Sequence, residues 1–225
     1  MYYQTKPYQL TMRTIFTLLV GVVAMVCTGC EVDDTELKNS KTYTLYEDIS
    51  ALVISDGVDV IVDDALPHDQ VYALTNANNF NRLRVRVTDG TLHIGVSSSL
   101  FGFKRCLVYV PSLAYKSVAA EGGSEFSWNS CNSYRLSVMA SGGSDCQIKG
   151  VTQQLCIDVS GGSDIECGWL EAEDVTIDAS GGSDVDAVAN STLSLTASGG
   201  SDIHIKGNPQ IIHWDVSGGS DVEFN

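Results

Sequence analysis

Basic residues are scarce in this sequence of 225 residues. Lysine and arginine together number 13, against 28 aspartates and glutamates, which gives a formal net charge of −15 at pH 7. Proteins that bind nucleic acid present clustered positive charge to the phosphate backbone. The composition therefore argues against nucleic acid as a partner.

Paired cysteines and the common catalytic motifs are also missing. The sequence has no nucleophile elbow, phosphate-binding loop or dinucleotide fingerprint. After Cys30 an odd number of cysteines remains, without C-x-x-C spacing, at Cys106, Cys131, Cys146, Cys156 and Cys167. This pattern indicates neither a zinc site nor a complete disulfide framework, and we expect Cys146 and Cys167 to act as small buried hydrophobes.

The histidines stand apart in the sequence, at His68, His93, His204 and His213. We expect His204 and His213, which flank one connector, to be solvated surface residues.

The apolar run near the start of the chain is too short to span a bilayer. It extends from Ile15 to Val26, about 12 residues, whereas a membrane helix needs about 20. Arg13 precedes it and small residues follow, so we predict that residues 1–29 are a secretory signal peptide. The run Val26-Cys27-Thr28-Gly29-Cys30 resembles a bacterial lipobox, with Cys27 at the usual leucine position, and this resemblance implies lipidation of Cys30. An ordinary signal peptide is the alternative.

The residues after Cys30 are acidic and lack apolar periodicity. We expect residues 30–45 to form a flexible tether that holds the folded part away from a membrane to which lipidated Cys30 is attached. Removal of residues 1–29 leaves 11 basic and 28 acidic residues, a formal charge of −17. The predicted location is the cell envelope, as an outer-membrane lipoprotein, and the acidic run resembles a signal for export to the cell surface.

Six near-copies of one phrase, with the consensus [AV]-S-G-G-S-D, occupy the second half of the chain. Their first glycines lie 18 to 20 residues apart, at Gly122, Gly142, Gly161, Gly181, Gly199 and Gly218. A fixed spacing of this length is typical of stacked repeats with one supersecondary unit per repeat. A bend between stacked coils requires glycine where a Cβ would be strained, so Gly181→Val is expected to destabilise the fold. We interpret the serines of the phrase as structural, bonded to backbone groups at the bend.

Apolar and polar residues alternate with a period of two on both sides of each bend. Before the bend the apolar positions are represented by Leu136, Val138 and their equivalents in later repeats, up to Ile212 and Trp214. After it the inward column begins at Cys146 and Ile148 and ends at Val222 and Phe224. A period of two indicates strands. The sequence therefore predicts an all-β protein: a parallel β-helix, a solenoid with coils of about 19 residues.

The first half of the folded part lacks the full repeat but also has strand character. We expect residues 46–115 to form an N-terminal β segment that caps the solenoid, and residues 116–225 to contain the β-helix repeats. The phrase Ile54-Ser55-Asp56-Gly57-Val58-Asp59-Val60 is similar to the later repeats, so the solenoid could begin there and be interrupted by a hairpin turning at Asp89-Gly90. The loop from Ser97 to Arg105 is the least predictable part. The free strand edge of the last coil could pair with another chain, which would make the protein oligomeric.

The lipoprotein start, the I-S-D-G-V-D-V strand, the V-Y-V-P-S-L strand at 108–113 and the S-G-G-S-D coils together resemble the head GIN domain family, labelled auto-transporter adhesin. The resemblance covers about residues 45–225. It implies a right-handed β-helix in the cell envelope. It implies little about biochemical activity, because the adhesin label rests on similarity between folds.

An acidic column follows the bends, and it is the most suggestive chemical feature of the sequence. Its members occupy one position of the repeat: Glu125, Asp145, Asp164, Asp184, Asp202 and Asp221. Glu166, Asp186 and Glu223 lie two residues further on. Neighbouring carboxylates in a stack repel each other by about 1 kcal/mol even in water. Backbone donors at the bend, solvent screening, protonation or bound cations could relieve this repulsion. Calcium on Asp145, Asp164, Asp184, Asp202 and Asp221 is the specific hypothesis, and turn-stabilising aspartates are the alternative. No other cofactor is expected.

The predicted function is a non-enzymatic binding or structural module that presents polar columns to a glycan or a surface protein. The alternative is a carbohydrate-active β-helix enzyme that cleaves a polysaccharide with paired aspartates. A third hypothesis is that the protein has a purely structural role in the cell envelope.

Overall fold

A computed structural model of the protein describes residues 37, 39–75, 80–97 and 106–225. The predicted signal peptide, Cys30 and most of the loop from Ser97 to Arg105 lie outside the described residues. Leu37–Asn225 forms a compact unit. The described residues contain strands and turns but no helix, and so no helix there is long and apolar enough to cross a membrane.

The strands fall into two groups by length and position in the chain. Short strands make up the first half: β1 (Asn39–Thr44), β2 (Ala51–Ile54), β3 (Asp59–Asp63), β4 (Gln70–Thr75), β5 (Leu83–Thr88), β6 (Thr91–Val96), β7 (Cys106–Pro111) and β8 (Ser117–Glu121). The repeat region follows with four long strands and three short ones: β9 (Glu125–Ser141), β10 (Asp145–Ser160), β11 (Asp164–Ser180), β12 (Asp184–Ala197), β13 (Asp202–Lys206), β14 (Gln210–Val216) and β15 (Asp221–Phe224). Each long strand begins after one bend and ends before the next.

Parallel pairing stacks the coils directly on one another. Between β10 and β11, for example, Asp145 pairs with Asp164 and Ser160 with Ser180, so equivalent positions of the repeat are neighbours. The stack has two main faces. The pre-bend face runs β5-β6-β2-β8-β9-β10-β11-β12-β14, and the post-bend face runs β1-β4-β7-β3-β9-β10-β11-β12-β13-β15. This topology confirms the predicted all-β solenoid.

The parallel stack extends into the segment expected to cap it. β2 pairs in parallel with β8, and β3 pairs with β9, so residues 51–63 lie directly against the first full repeat. On their other side, β2 and β3 pair in parallel with β6 and β7. Strands β6 and β7 therefore lie outside β2 and β3, although they follow them in sequence. Antiparallel strands β1, β4 and β5 complete this end.

The apolar columns of the repeats form one continuous core. Leu136, Val138, Cys146 and Ile148 are buried, as are their equivalents in the next three coils. Cys167 is completely buried, and its removal from water raises the pKa of its thiol. Burial likewise raises the pKa of the Cys146 thiol to about 12. The expectation that both cysteines pack as small hydrophobes is consistent with these environments.

In the last coil the apolar residues of the inward columns are not buried. Ile212, Trp214 and Phe224 were expected in the core, but their exposed fractions are 62%, 43% and 45%. The register also shifts there, because Leu193 pairs with Ile211 and Ser194 with His213. An inward side chain of a solenoid is covered by the coils on both sides of it. Among the described residues β14 and β15 pair on one side only, and the inward side chains of this coil remain accessible.

A ladder of buried serines ties the bends of successive coils together. Ser144 shows the pattern: its Oγ donates to the carbonyl of Ser141 at 2.9 Å and accepts from the backbone N–H of Ser124 in the preceding coil at 3.2 Å. Ser124, Ser183 and Ser201 make the same donation to the carbonyl three residues before them. These bonds agree with a structural role for the serines.

Candidate binding face

The acidic residues after the bends form two neighbouring rows on the post-bend face. Each row is defined by in-register pairing from coil to coil. The first acidic row consists of Asp59, Glu125, Asp145, Asp164, Asp184, Asp202 and Asp221. The second acidic row, two residues further along each strand, consists of Ser127, Gln147, Glu166, Asp186, His204 and Glu223. The structure thus brings together all the acidic residues that the sequence singled out.

The local fold explains why these side chains point outward. In each coil before the last the apolar residue between the two row positions is buried, as Ile165 is between Asp164 and Glu166, and in the last coil Val222 is partly buried. Alternation along a strand then directs its neighbours away from the core. Parallel strands lie roughly 4.8 Å apart, so the two rows form a flat, regularly spaced acidic surface.

Partial burial and repulsion within the face together raise the pKa values of two central members. The pKa of Asp145 is raised by partial burial and by the charges of Glu125 and Glu166. The pKa of Asp164 is raised by partial burial and by its neighbours Asp184 and Asp145, and a backbone hydrogen bond from Asp184 only partly offsets this. Both directions follow first from burial, which disfavours the charged form, and then from like charges held close together.

The second acidic row contains polar partners for some of its carboxylates. Gln147 donates from its side-chain amide to Glu166 at 2.7 Å. The His204 ring lies between two carboxylates, with Nδ1 3.4 Å from Asp186 and Nε2 3.6 Å from Glu223. His213 is on β14, on the pre-bend face, so the two histidines that flank one connector lie on different faces.

The fit of the face to a metal ion follows from its donor set. Carboxylate oxygens are the ligands that calcium prefers. Within the described part of the chain, no group of three or more His, Cys, Asp or Glu side chains is placed to hold one metal ion. Calcium on the first acidic row would therefore need oxygen ligands from water or from a bound partner. Asp221 shows the alternative, in which an aspartate binds local backbone instead of a metal ion. Its carboxylate accepts a hydrogen bond from the N–H of Val222 at 2.9 Å.

Asp59, Gln147 and His204 belong to these rows although sequence reasoning did not assign them to a site. Asp59 occupies the row position of the early I-S-D-G-V-D-V phrase, so alignment of that phrase with the repeats would have found it. Gln147 and His204 occupy the same repeat position as Glu166. Their side chains are not carboxylates, so the acidic pattern of the sequence does not include them.

We expect removal of one central carboxylate to stabilise the protein at neutral pH. The raised pKa of Asp145 means that the folded state holds its proton more tightly than the unfolded state. The stability from this group is present at pH values below the unfolded pKa and is lost as pH rises through the folded pKa. Asp145→Asn should therefore raise the melting temperature at pH 7, and it should reduce the rise in melting temperature that the unmodified protein shows as the pH falls toward the ordinary aspartate pKa of about 3.9. The gain should be at most about 1 kcal/mol, because exposed charges are screened.

The matched control for this measurement is Glu173→Gln. Glu173 is exposed on β11 but does not belong to either acidic row. The substitution therefore removes one negative charge away from the face. Thermal melts at low and high salt would complete the test. Equal gains from both variants would show that total charge, and not the row, raises the free energy of the folded state.

The architecture is that of a β-solenoid whose bends carry a repeated Gly-Gly-Ser-Asp phrase. A family model described as "Putative auto-transporter adhesin, head GIN domain" matches residues 48–209. The chain belongs to this family.

Solved structures share the fold. A "putative adhesin" from Bacteroides fragilis has a TM-score of 0.69 at 17% identity, and the match covers 83% of this chain and 96% of the other. A "putative adhesin" from Parabacteroides distasonis has a TM-score of 0.52 at 14% identity, with coverages of 83% and 96%. At these identities the likeness shows the fold alone. No curated protein matches the chain.

Proposed function

We propose that this protein is a non-enzymatic, adhesin-like binding module of the cell envelope, anchored through lipid on Cys30, whose acidic face contacts a glycan or a surface protein. The observation that carries the proposal is the in-register pair of acidic rows, in which the pKa values of Asp145 and Asp164 are raised. Binding of a cation or a cationic group relieves this repulsion and so stabilises the face. The family description and the adhesin names of the structural relatives support the same function.

The shape of the face favours an extended ligand. Its side chains project from flat parallel strands and repeat from coil to coil, so they offer the same contacts at regular intervals. A small molecule usually binds in a concave pocket that surrounds most of its surface. A polysaccharide or a protein surface can instead contact several coils at once. Calcium could join carboxylates of the face to hydroxyl groups of a glycan, since it takes six to eight oxygen ligands.

The experiment is a binding screen on arrays of glycans and matrix proteins, with calcium and with chelator. We expect the protein to bind at least one class of ligand, and the double variant Asp164→Asn/Asp184→Asn to lose most of that binding. The matched control is Asp158→Asn/Asp178→Asn, which removes two aspartates that are also neighbours in register but lie on the pre-bend face. Loss of binding under chelator would assign calcium to the contact.

Three results would contradict the proposal. A protein that bound nothing on either array would fit the hypothesis of a purely structural role. Binding that was unaffected by Asp164→Asn/Asp184→Asn would show that the ligand contacts another surface. Release of sugar from a glycan, abolished by Asp164→Asn, would establish the enzymatic alternative. Unchanged binding and melting temperature under chelator would remove calcium but leave the face itself intact.

A further inference from the structure

The two ends of the solenoid are complementary, and we propose that copies of this chain associate head to tail. The C-terminal end, formed by β14 and β15, docks on the N-terminal end, formed by β1, β5 and the cleft between them. The partner is therefore a second copy of the same chain. Three features of the described residues carry this inference: the strand edges, the apolar groups and the charges.

The strand edges of the two ends match in number and position. Within the described residues, β5 pairs only with β6 and β1 only with β4, while β14 pairs only with β12 and β15 only with β13. β5 and β14 terminate the pre-bend face, whereas β1 and β15 terminate the post-bend face. A second copy displaced along the solenoid axis thus places β5 beside β14 in antiparallel orientation and β1 beside β15 in parallel orientation. Both orientations satisfy backbone hydrogen bonds, and open edges readily accept another strand.

The apolar groups of the two ends are also complementary. At the C-terminal end Trp214 and Phe224 come from opposite faces, stack with ring centroids 6.0 Å apart and remain nearly half exposed. At the N-terminal end, between β1 and β5, lies a cleft of about 190 Å³. Its apolar lining comes from Tyr43, Leu45, Val85 and Val87. Docking would cover the aromatic pair with the apolar walls of this cleft, and exposed apolar patches of this kind mark interaction sites.

The charges of the paired edges are opposite in sign. Arg84 and Arg86 project from β5, and Lys41 projects from β1; all three are exposed. Opposite them on a second copy would lie Asp215 of β14 and the acidic pair Asp221 and Glu223 of β15, which are exposed too. Such an arrangement favours this contact over others in a protein of high negative charge, because like-charged surfaces repel. It also disfavours an isologous contact between two C-terminal ends, both of which are acidic.

A head-to-tail contact between different surfaces is open-ended, so it produces a row of copies instead of a closed dimer. Each copy adds its own acidic face along the row. A ligand that contacts several faces would then be held with higher avidity than a single copy provides.

The test uses sedimentation of the chain without residues 1–30, since Leu37–Asn225 is a compact unit with its own core. We expect self-association that grows with concentration without stopping at a dimer. Trp214→Glu should block the C-terminal end, and Arg84→Glu/Arg86→Glu the N-terminal end, each weakening association at least about tenfold. The matched control is Trp169→Glu, because Trp169 is 74% exposed but lies away from both ends.

Mixing the two blocked proteins separates head-to-tail docking from other modes. Each retains one intact end, so an equimolar mixture should form heterodimers at concentrations where each variant alone is monomeric. Unchanged circular dichroism and melting behaviour would show that the variants are folded. The proposal is overturned if the unmodified protein stays monomeric up to about 1 mM, if the arginine variant associates as tightly as the unmodified protein, or if the mixture associates no more than the separate variants.

Discussion

Gly181→Ala should strongly destabilise this protein, by about 2 to 4 kcal/mol, although it adds only one methyl group. Gly181 is at a bend with φ of 84°, a conformation that residues with a Cβ rarely adopt. A Cβ placed there would lie 2.9 Å from the backbone nitrogen of Gly161 in the preceding coil. Because backbone cannot move aside without disturbing the stack, both the strain and the clash remain. Chemical denaturation would measure the loss, and Gly181→Val should lose still more.

The second glycine of the same doublet provides the control. A Cβ on Gly182 would meet no atom within 4 Å, and the residue has no left-handed φ. Gly182→Ala should therefore change the free energy of unfolding by no more than about 0.5 kcal/mol, or stabilise slightly by restricting the unfolded chain. Similar losses from both variants would mean that the bend needs a Gly-Gly doublet for a reason other than contact between coils.

The repeat region could be predicted from the sequence because its information is local and periodic. Every coil repeats the same alternation around the same phrase, so the inward positions from Leu136 to Ile205 could be read directly and most are buried. In-register stacking of Asp145 with Asp164 then followed from the nearly constant spacing. The pattern fails in the last coil, where the alternation continues but Trp214 and Phe224 remain partly exposed, because among the described residues β14 and β15 pair on one side only.

The order of the coils in the first half could not be predicted in the same way. The strand at 91–96 carries no Gly-Gly-Ser-Asp phrase, so its pairing with β2 depends on contacts between residues about 40 positions apart. A hairpin of β5 and β6 brings it there. Alternation shows that these segments are strands, but it does not determine which strands are neighbours. For the same reason the cleft beside Val85 and Val87 was not expected, because its walls come from separate antiparallel strands.

Ser163→Ala should also destabilise the protein, by about 1 to 3 kcal/mol, through backbone groups in a neighbouring coil. Ser163 is completely buried, and its Oγ accepts hydrogen bonds from the N–H groups of Gly143 and Ser144, each at 3.1 Å. Alanine fits the space but removes the acceptor, so both donors lose this partner, and the N–H of Ser144 loses it in a buried position. Hydrogen exchange should show faster exchange at these two amides before it changes elsewhere.

Ser194→Ala is the matched control, because Ser194 points outward on a strand of the pre-bend face and is partly exposed. Surface substitutions of this kind change stability by no more than about 0.5 kcal/mol. A stable Ser163→Ala protein with full protection at Gly143 and Ser144 would contradict the structural role of the ladder. If the expected pattern is found, each bend is stabilised by a side chain of the next coil, so the serine ladder helps to keep the coils, and with them the acidic rows, in register.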